Sequence, residues 1–62
     1  KEVFIEKTLQ LNGIKIRPDV CYQENGKWNI IEIEFGGNHQ NKIFKNFDVI
    51  SKVATIKVVD IK

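Results

Sequence analysis

The 62-residue sequence lacks several features that would each point to a class of protein. Cys21 is its only cysteine, so the chain alone can form neither an internal disulfide nor a cysteine-based zinc site. No segment approaches the roughly 18 consecutive apolar residues of a membrane span, and no signal-peptide pattern is present. The formal net charge is only +2, which permits a polyanionic partner without requiring one. These absences predict a soluble, intracellular protein, most simply a cytoplasmic one.

The length allows one small domain, spanning 1–62. A chain this short buries only about 60% of the surface that its unfolded form exposes, so its own core is marginal. The sequence contains no methionine, even at its first position, which suggests a module cut from a longer protein. We therefore expect the rest of a parent chain, or a homo-oligomer partner, to complete the fold.

The stretch RPDVCYQENGKWNIIEIEF at 17–35 predicts two strands joined by a tight turn. Its centre, Asn25-Gly26, is a strong hairpin signal, because both central positions of a type I′ turn need φ > 0. Counting back from this turn sets Val20 opposite Ile31. Since side chains alternate across a strand, this register gives the hairpin two faces. The predicted core face carries Pro18, Val20, Tyr22, Ile31, Ile33 and Phe35.

The other face of this hairpin carries carboxylates. Asp19 lies opposite Glu32, and Glu34 follows two residues along the strand, opposite Arg17. Like charges placed directly opposite each other destabilise a sheet unless something cationic lies between them, and a divalent metal ion is the obvious candidate. The same residues also fit solvated carboxylates on the wet face of an antiparallel sheet, with Glu34 paired to Arg17.

The segment 8–16 repeats the hairpin pattern around Asn12-Gly13. Its apolar residues join the predicted core face: Leu9, Leu11, Ile14 and Ile16. Continuing its register places Glu6 opposite Asp19, where Glu6 either extends the acidic row or lies at the surface. Pro18 cannot donate to the ladder, so it predicts a local break in pairing beside Asp19, of the kind that often re-aims a side chain next to an active site.

A helix and a last strand follow the second hairpin. Apolar residues recur at three- and four-residue spacing from about His39 to Lys52, which predicts an amphipathic helix. Thr55–Ile61 is rich in β-branched residues and predicts a strand parallel to Trp28–Phe35, because the three elements form a βαβ unit. The predicted fold class is therefore α+β: a three-stranded antiparallel meander, one helix and a fourth strand parallel to the third (β-β-β-α-β).

This pattern resembles the PD-(D/E)XK nuclease superfamily. The resemblance covers about 8–61 and is carried by Pro18-Asp19, a short hairpin, and Glu32-Ile33-Glu34 at the end of an apolar strand with a helix behind it. In that family an aspartate follows a proline on the second strand, and an acidic-x-lysine motif lies on the third. The resemblance implies a minimal restriction-endonuclease-like core that acts as a metal-dependent nuclease on DNA.

The resemblance also implies roles for particular residues. Asp19 and Glu32 would hold Mg²⁺ or Mn²⁺, and Glu34 would complete a second metal position or act as a base for water. Glu34 stands where the family motif has lysine, and such Glu-x-Glu variants occur among restriction-type members. The missing lysine would come from the following helix, as Lys42 or Lys45. The catalytic set implied is Asp19, Glu32, Glu34 and Lys42, with further polar candidates at the helix start in His39 and Gln40.

Two other functions fit the same sequence. One is a catalytically inactive nuclease-like module that binds nucleic acid or serves in assembly. The other is an unrelated small β-rich interaction domain. Metal binding distinguishes the nuclease from the inactive module, and a helical cover over the acidic face distinguishes both from the third class.

Overall fold

The computed structural model describes residues 2–35 and 42–61. Within these ranges, the chain forms six strands and two short helices. In chain order they are β1 (Val3–Ile5), β2 (Leu9–Leu11), β3 (Ile14–Ile16), β4 (Val20–Glu24), β5 (Lys27–Phe35), α1 (Lys42–Lys45), α2 (Phe47–Ile50) and β6 (Ala54–Ile61). No helix in the described ranges is long and apolar enough to cross a membrane.

Four of the strands form a mixed main sheet in the order β1-β4-β5-β6. β1 and β5 run antiparallel to β4, whereas β6 runs parallel to β5 from the pair Trp28–Ala54 to the pair Phe35–Ile61. β2 and β3 form a separate two-stranded sheet. The long crossover between β5 and β6 contains both helices.

The predicted β-β-β-α-β layout is wrong. It placed the 8–16 hairpin in one meander with the strand that follows Pro18. Instead, β1 takes the position beside β4, and the hairpin forms a sheet of its own. The single predicted helix is also wrong, because α1 ends at Lys45 and α2 begins at Phe47. Asn46 lies between them with φ of −118° and ψ of 28°, outside the helical region, and its side-chain Nδ2 donates to the Lys42 carbonyl at 2.9 Å.

A break at Pro18 explains the difference in sheet order. β3 ends at Ile16 and β4 begins at Val20, with the fully buried Pro18 between them. The pairs Leu9–Ile16 and Ile5–Val20 belong to one antiparallel register. From the first pair to the second, one partner lies four residues earlier in the chain and the other lies four residues later. The two strand pairs are thus halves of one hairpin, interrupted where proline lacks an N–H for the ladder. The predicted break beside Asp19 is confirmed, and it allows the hairpin tip to pack over the main sheet.

Both predicted hairpin turns are confirmed. The backbone φ is 52° and 82° at Asn12-Gly13, and 55° and 75° at Asn25-Gly26. Positive φ at both central positions is what a type I′ turn requires. The strand pairs that flank the turns have the registers counted from the sequence, including Val20 opposite Ile31.

The main sheet has a buried face and an open face. We define the buried face by the main-sheet residues Phe4, Cys21, Trp28, Ile30, Glu32, Ala54 and Ile56, and the open face by Val3, Ile5, Val20, Ile31, Ile33, Phe35, Val59 and Ile61. The buried face packs against β2, β3 and the helices in a core of Leu9, Leu11, Ile16, Cys21, Ile30, Ile43, Ile50 and Ala54. On the open face, Ile5 is 77% exposed and Phe35 is 69% exposed.

This arrangement reverses the predicted faces of the second hairpin. The sequence predicted that the side of Ile33 and Phe35 is the core and that the side of the carboxylates is exposed to water. Cys21 and Ile30 share the carboxylate side and are 0% and 1% exposed. The hairpin tip and the helices cover that side, so the carboxylates lie at the margin of the core.

Candidate functional site

Two side-chain carboxylates continue the β4–β5 ladder beyond its last backbone pair, Val20–Ile31. The Asp19 N–H donates to Oε2 of Glu32 at 2.9 Å. The Ile33 N–H donates to Oδ2 of Asp19, also at 2.9 Å. We call this pair of carboxylates with its two hydrogen bonds the carboxylate clasp. It ties the start of β4 to β5 in both directions.

The break at Pro18 explains why side chains take over at this point. A backbone N–H group that has lost its ladder partner needs another acceptor, and a carboxylate that accepts from an N–H forms a charge-assisted hydrogen bond. The predicted adjacency of Asp19 and Glu32 is confirmed by these bonds. The expected repulsion between them is eased by backbone dipoles, because each carboxylate accepts an N–H from the strand of the other.

The two carboxylates differ in exposure. Glu32 is buried, with 3% of its surface exposed, whereas Asp19 is half-buried. Burying a charged group is costly unless hydrogen bonds or opposite charges compensate it. The position of Glu32 therefore has a free-energy cost that its clasp bond and nearby cations must offset.

A cavity of about 380 Å³ opens beside the clasp. Its lining consists of Arg17, Asp19, Glu32, Ile33, Glu34, Lys42 and Ile43. Three carboxylates and two cationic side chains thus surround one space. All four residues of the predicted catalytic set line it. Lys45 instead lines a cavity of about 300 Å³ on the helices, and His39 and Gln40 lie outside the described residues.

Arg17 forms an ion pair with Glu6, and not with Glu34 as its register position suggested. The distance from Nη2 of Arg17 to Oε2 of Glu6 is 3.6 Å, and the two side chains are 64% and 62% exposed. Exposed pairs of this kind contribute only about 0.2–1 kcal/mol to stability. The Glu6 N–H donates to the Asp19 carbonyl at 3.1 Å, so Glu6 lies opposite Asp19 as the register predicted, and its carboxylate pairs with Arg17.

Sequence reasoning placed Arg17 on the carboxylate side of the hairpin but missed its ion pair with Glu6. Arg17 reaches its partner only because the first hairpin keeps its register across the break at Pro18 and returns Glu6 to the level of Asp19. The available signal was that register, which already placed Glu6 opposite Asp19.

The buried thiol of Cys21 is not a candidate nucleophile. Burial raises the pKa of Cys21, and the positive charge of Lys7 opposes this shift only in part. The thiolate is the nucleophilic form of cysteine, and a raised pKa keeps the thiol protonated near neutral pH. Among the described residues of this site, the candidates for chemistry are the carboxylates and the cations.

The donor set of the cavity fits a hard divalent cation that retains several waters. Within 2–35 and 42–61, no group of three or more His, Cys, Asp or Glu side chains is arranged to hold a metal ion. Mg²⁺, however, is usually bound through one or two carboxylates together with waters and substrate phosphate. Asp19 and Glu32 supply two carboxylates, and the bond from the Ile33 N–H engages only Oδ2 of Asp19.

Comparisons with known proteins neither support nor exclude the resemblance to PD-(D/E)XK nucleases. No protein-family model matches this chain, and no curated protein or solved structure matches it. The clasp and the cavity are therefore the features that bear on its function.

Proposed function

We propose that this chain is the catalytic module of a metal-dependent nuclease that hydrolyses phosphodiester bonds in DNA. The observation that carries the proposal is that three carboxylates and two cationic side chains line one cavity. Carboxylates attract a divalent cation, whereas arginine and lysine attract phosphate. Phosphodiester hydrolysis uses both kinds of group at one place.

Asp19 and Glu32 would hold Mg²⁺ or Mn²⁺ on the cavity side of the clasp. A cation bound there would polarise a phosphoryl oxygen and make an attacking water more acidic. Because the clasp fixes both carboxylates through backbone N–H groups, they would need little reorganisation to bind the cation.

The remaining cavity residues would act on water and phosphate. Glu34 would accept a proton from the attacking water while the water oxygen forms its bond to phosphorus. The ester P–O bond then breaks, and the departing oxygen takes up a proton from solvent. Arg17 and Lys42 would contact non-bridging phosphate oxygens, a contact that positions the backbone without reading the base sequence.

The motif resemblance supports the same assignment through Pro18-Asp19 and Glu32-Ile33-Glu34. Lys42 lines the cavity and would supply the cation that the motif lysine provides in the family. We propose a cytoplasmic location, because a free buried thiol such as Cys21 is typical of a reducing compartment.

The clasp also favours a second candidate function. Both carboxylates hold β4 to β5, a structural role that needs no metal. A catalytically inactive module that binds DNA through Arg17 and Lys42 would preserve the same contacts. Metal-dependent cleavage separates this candidate from the nuclease.

The decisive experiment is cleavage of supercoiled plasmid and end-labelled duplex DNA in Mg²⁺, Mn²⁺ or EDTA. We expect cleavage with either metal and none in EDTA. Glu34→Gln should lower the rate by about 10²–10⁴-fold if Glu34 is the base. Asp48→Asn makes the same charge change on an exposed residue of α2 and should retain the wild-type rate.

Two results would contradict the proposal. Absence of any metal-dependent cleavage would favour the inactive module, and cleavage undiminished in Glu34→Gln would exclude this residue as the base. Metal binding is measured separately by thermal unfolding. A ligand that binds the native state stabilises it by RT ln(1 + [L]/Kd), so Mn²⁺ should raise the Tm of the wild type and not that of Glu32→Gln.

A further inference from the structure

We propose that Arg17 binds a DNA phosphate in the cavity, and that Glu6 is its resident counter-ion, which the phosphate displaces. The inference deepens the proposed function, since it rests on DNA being the ligand of the same cavity. It concerns binding alone, so it stands or falls separately from cleavage.

The ion pair has the properties of an exchangeable contact. Its 3.6 Å separation is longer than the roughly 2.7–2.9 Å of a close charge-assisted hydrogen bond. Both side chains are more than half exposed, so water and salt screen their attraction. A phosphate that docks with two parallel N–H···O bonds from the guanidinium would be a stronger partner than this carboxylate.

The backbone of Glu6 is fixed beside the carboxylate clasp, within reach of Arg17. Glu6 has φ of 53°, in the left-handed region that residues other than glycine seldom adopt. Its N–H donates to the Asp19 carbonyl at 3.1 Å. Non-glycine residues persist in this region only where surrounding contacts hold them there, often at functional sites. The strained residue therefore places a negative charge beside the arginine of the cavity.

The position of Arg17 favours phosphate as the competing ligand. Arg17 lines the same cavity as the clasp, and Lys42 lies on that lining as well. A phosphate between these two cations would also lie beside the carboxylates proposed to hold the metal. Glu6 would then reduce the affinity for DNA by competing for Arg17, and its removal should tighten binding.

The experiment is fluorescence anisotropy of a labelled DNA duplex with the whole chain, in EDTA and at several salt concentrations. Glu6→Gln should bind DNA about two- to fivefold more tightly, as expected for loss of one exposed ion-pair partner. Arg17→Ala should bind about tenfold more weakly. The slope of log K against the logarithm of the salt concentration should become shallower by about one unit. Glu2→Gln makes the same charge change on an exposed residue that does not line the cavity, and should shift the affinity much less.

The double variant decides whether Glu6 acts through Arg17. Glu6→Gln should have no further effect in the Arg17→Ala background beyond that of Glu2→Gln. The proposal is overturned if Glu6→Gln gains no more affinity than Glu2→Gln, if the gain survives without Arg17, or if the folded wild-type chain does not bind DNA. Circular dichroism of each variant checks that it is folded. Binding as expected without metal-dependent cleavage would support this inference and reject the nuclease.

Discussion

Both faces of the main sheet carry branched apolar side chains, yet one is a core and the other is open. Ile30 and Ile33 lie on the same strand at 1% and 37% exposure, and Phe35 reaches 69%. Hydrophobicity alone does not account for the difference. The break at Pro18 sends the hairpin tip to one side, and the crossover places the helices on that side too. Chain direction thus decides which apolar face is covered.

The covered face also determines the environment of the candidate site. Its carboxylates lie on the covered face, where Glu32 is 3% exposed, and not on a wet sheet surface. Charges at the margin of a core interact more strongly than charges in bulk water. An ion in the cavity would therefore interact more strongly with these residues than it would if they lay on an open sheet.

The sharpest test of the two faces compares two isoleucines on β5. Ile30→Ala should lower the free energy of unfolding by about 2–5 kcal/mol, because it leaves a cavity in the core. Ile33→Ala should cost much less, since water already reaches that side chain. Urea denaturation followed by circular dichroism measures both. Ile30→Val, expected to cost about 0.5–1.5 kcal/mol, serves if the alanine variant does not fold. Equal losses at Ile30 and Ile33 would mean that the open face is covered in solution.

A smaller effect is expected at the clasp. Asp19→Ala should lower the free energy of unfolding in metal-free buffer by about 0.5–1.5 kcal/mol, because the exposed Ile33 N–H exchanges a carboxylate acceptor for water. Asp19→Asn keeps an oxygen acceptor and should lose less. Asp48→Asn controls for the charge change at an exposed position. If Asp19→Asn raises the Tm instead, repulsion between the carboxylates outweighs the clasp.

The burial of the Cys21 thiol predicts a pH dependence of the stability. Its folded pKa lies above that of an unfolded cysteine, about 8.5, because burial disfavours the thiolate. The stability should therefore be independent of this thiol below the unfolded pKa and should decline as the pH rises through the folded pKa. Urea midpoints of wild type and Cys21→Ala between neutral and alkaline pH measure this difference. Parallel pH curves for the two proteins would contradict the burial of the thiol.

The open face should give the smallest change in stability. Ile5→Ser and Phe35→Ser remove side chains that are 77% and 69% exposed, so each should change the free energy of unfolding by no more than about 0.5–1 kcal/mol. The same variants should bind less of the dye ANS, which reports exposed apolar surface. A large loss of stability without a change in dye binding would indicate that the face is occupied.

Local features were predictable from the sequence where neighbouring residues determine them. The two Asn-Gly turns set their own strand registers, and the second register brought Asp19 and Glu32 together. The covered face was not predictable from alternation, because alternation gives two sides without saying which one another layer covers. The position of Pro18 indicated a break, but the direction of the chain after it depends on tertiary packing.

The single predicted helix failed for a similar reason. Two of the apolar residues in that periodic segment, Ile43 and Ile50, are in the core. Periodicity did not register Asn46, whose backbone leaves the helical conformation between α1 and α2. The ion pair of Arg17 with Glu6 likewise depends on contacts across the broken hairpin.

The parallel pairing of β6 with β5 has a consequence for the order of folding. Each pair in this ladder joins positions 26 apart, from Trp28–Ala54 onward, whereas the hairpins close through two-residue turns. Closing a long loop costs more chain entropy than closing a short one, so the hairpins should form early and β6 should dock late. Destabilising substitutions at Ile56 should then mainly speed unfolding, while Leu11→Ala should slow folding, and stopped-flow kinetics can measure both rates. A nascent chain that ends before Ala54 would hold two formed hairpins with one edge of β5 still unpaired.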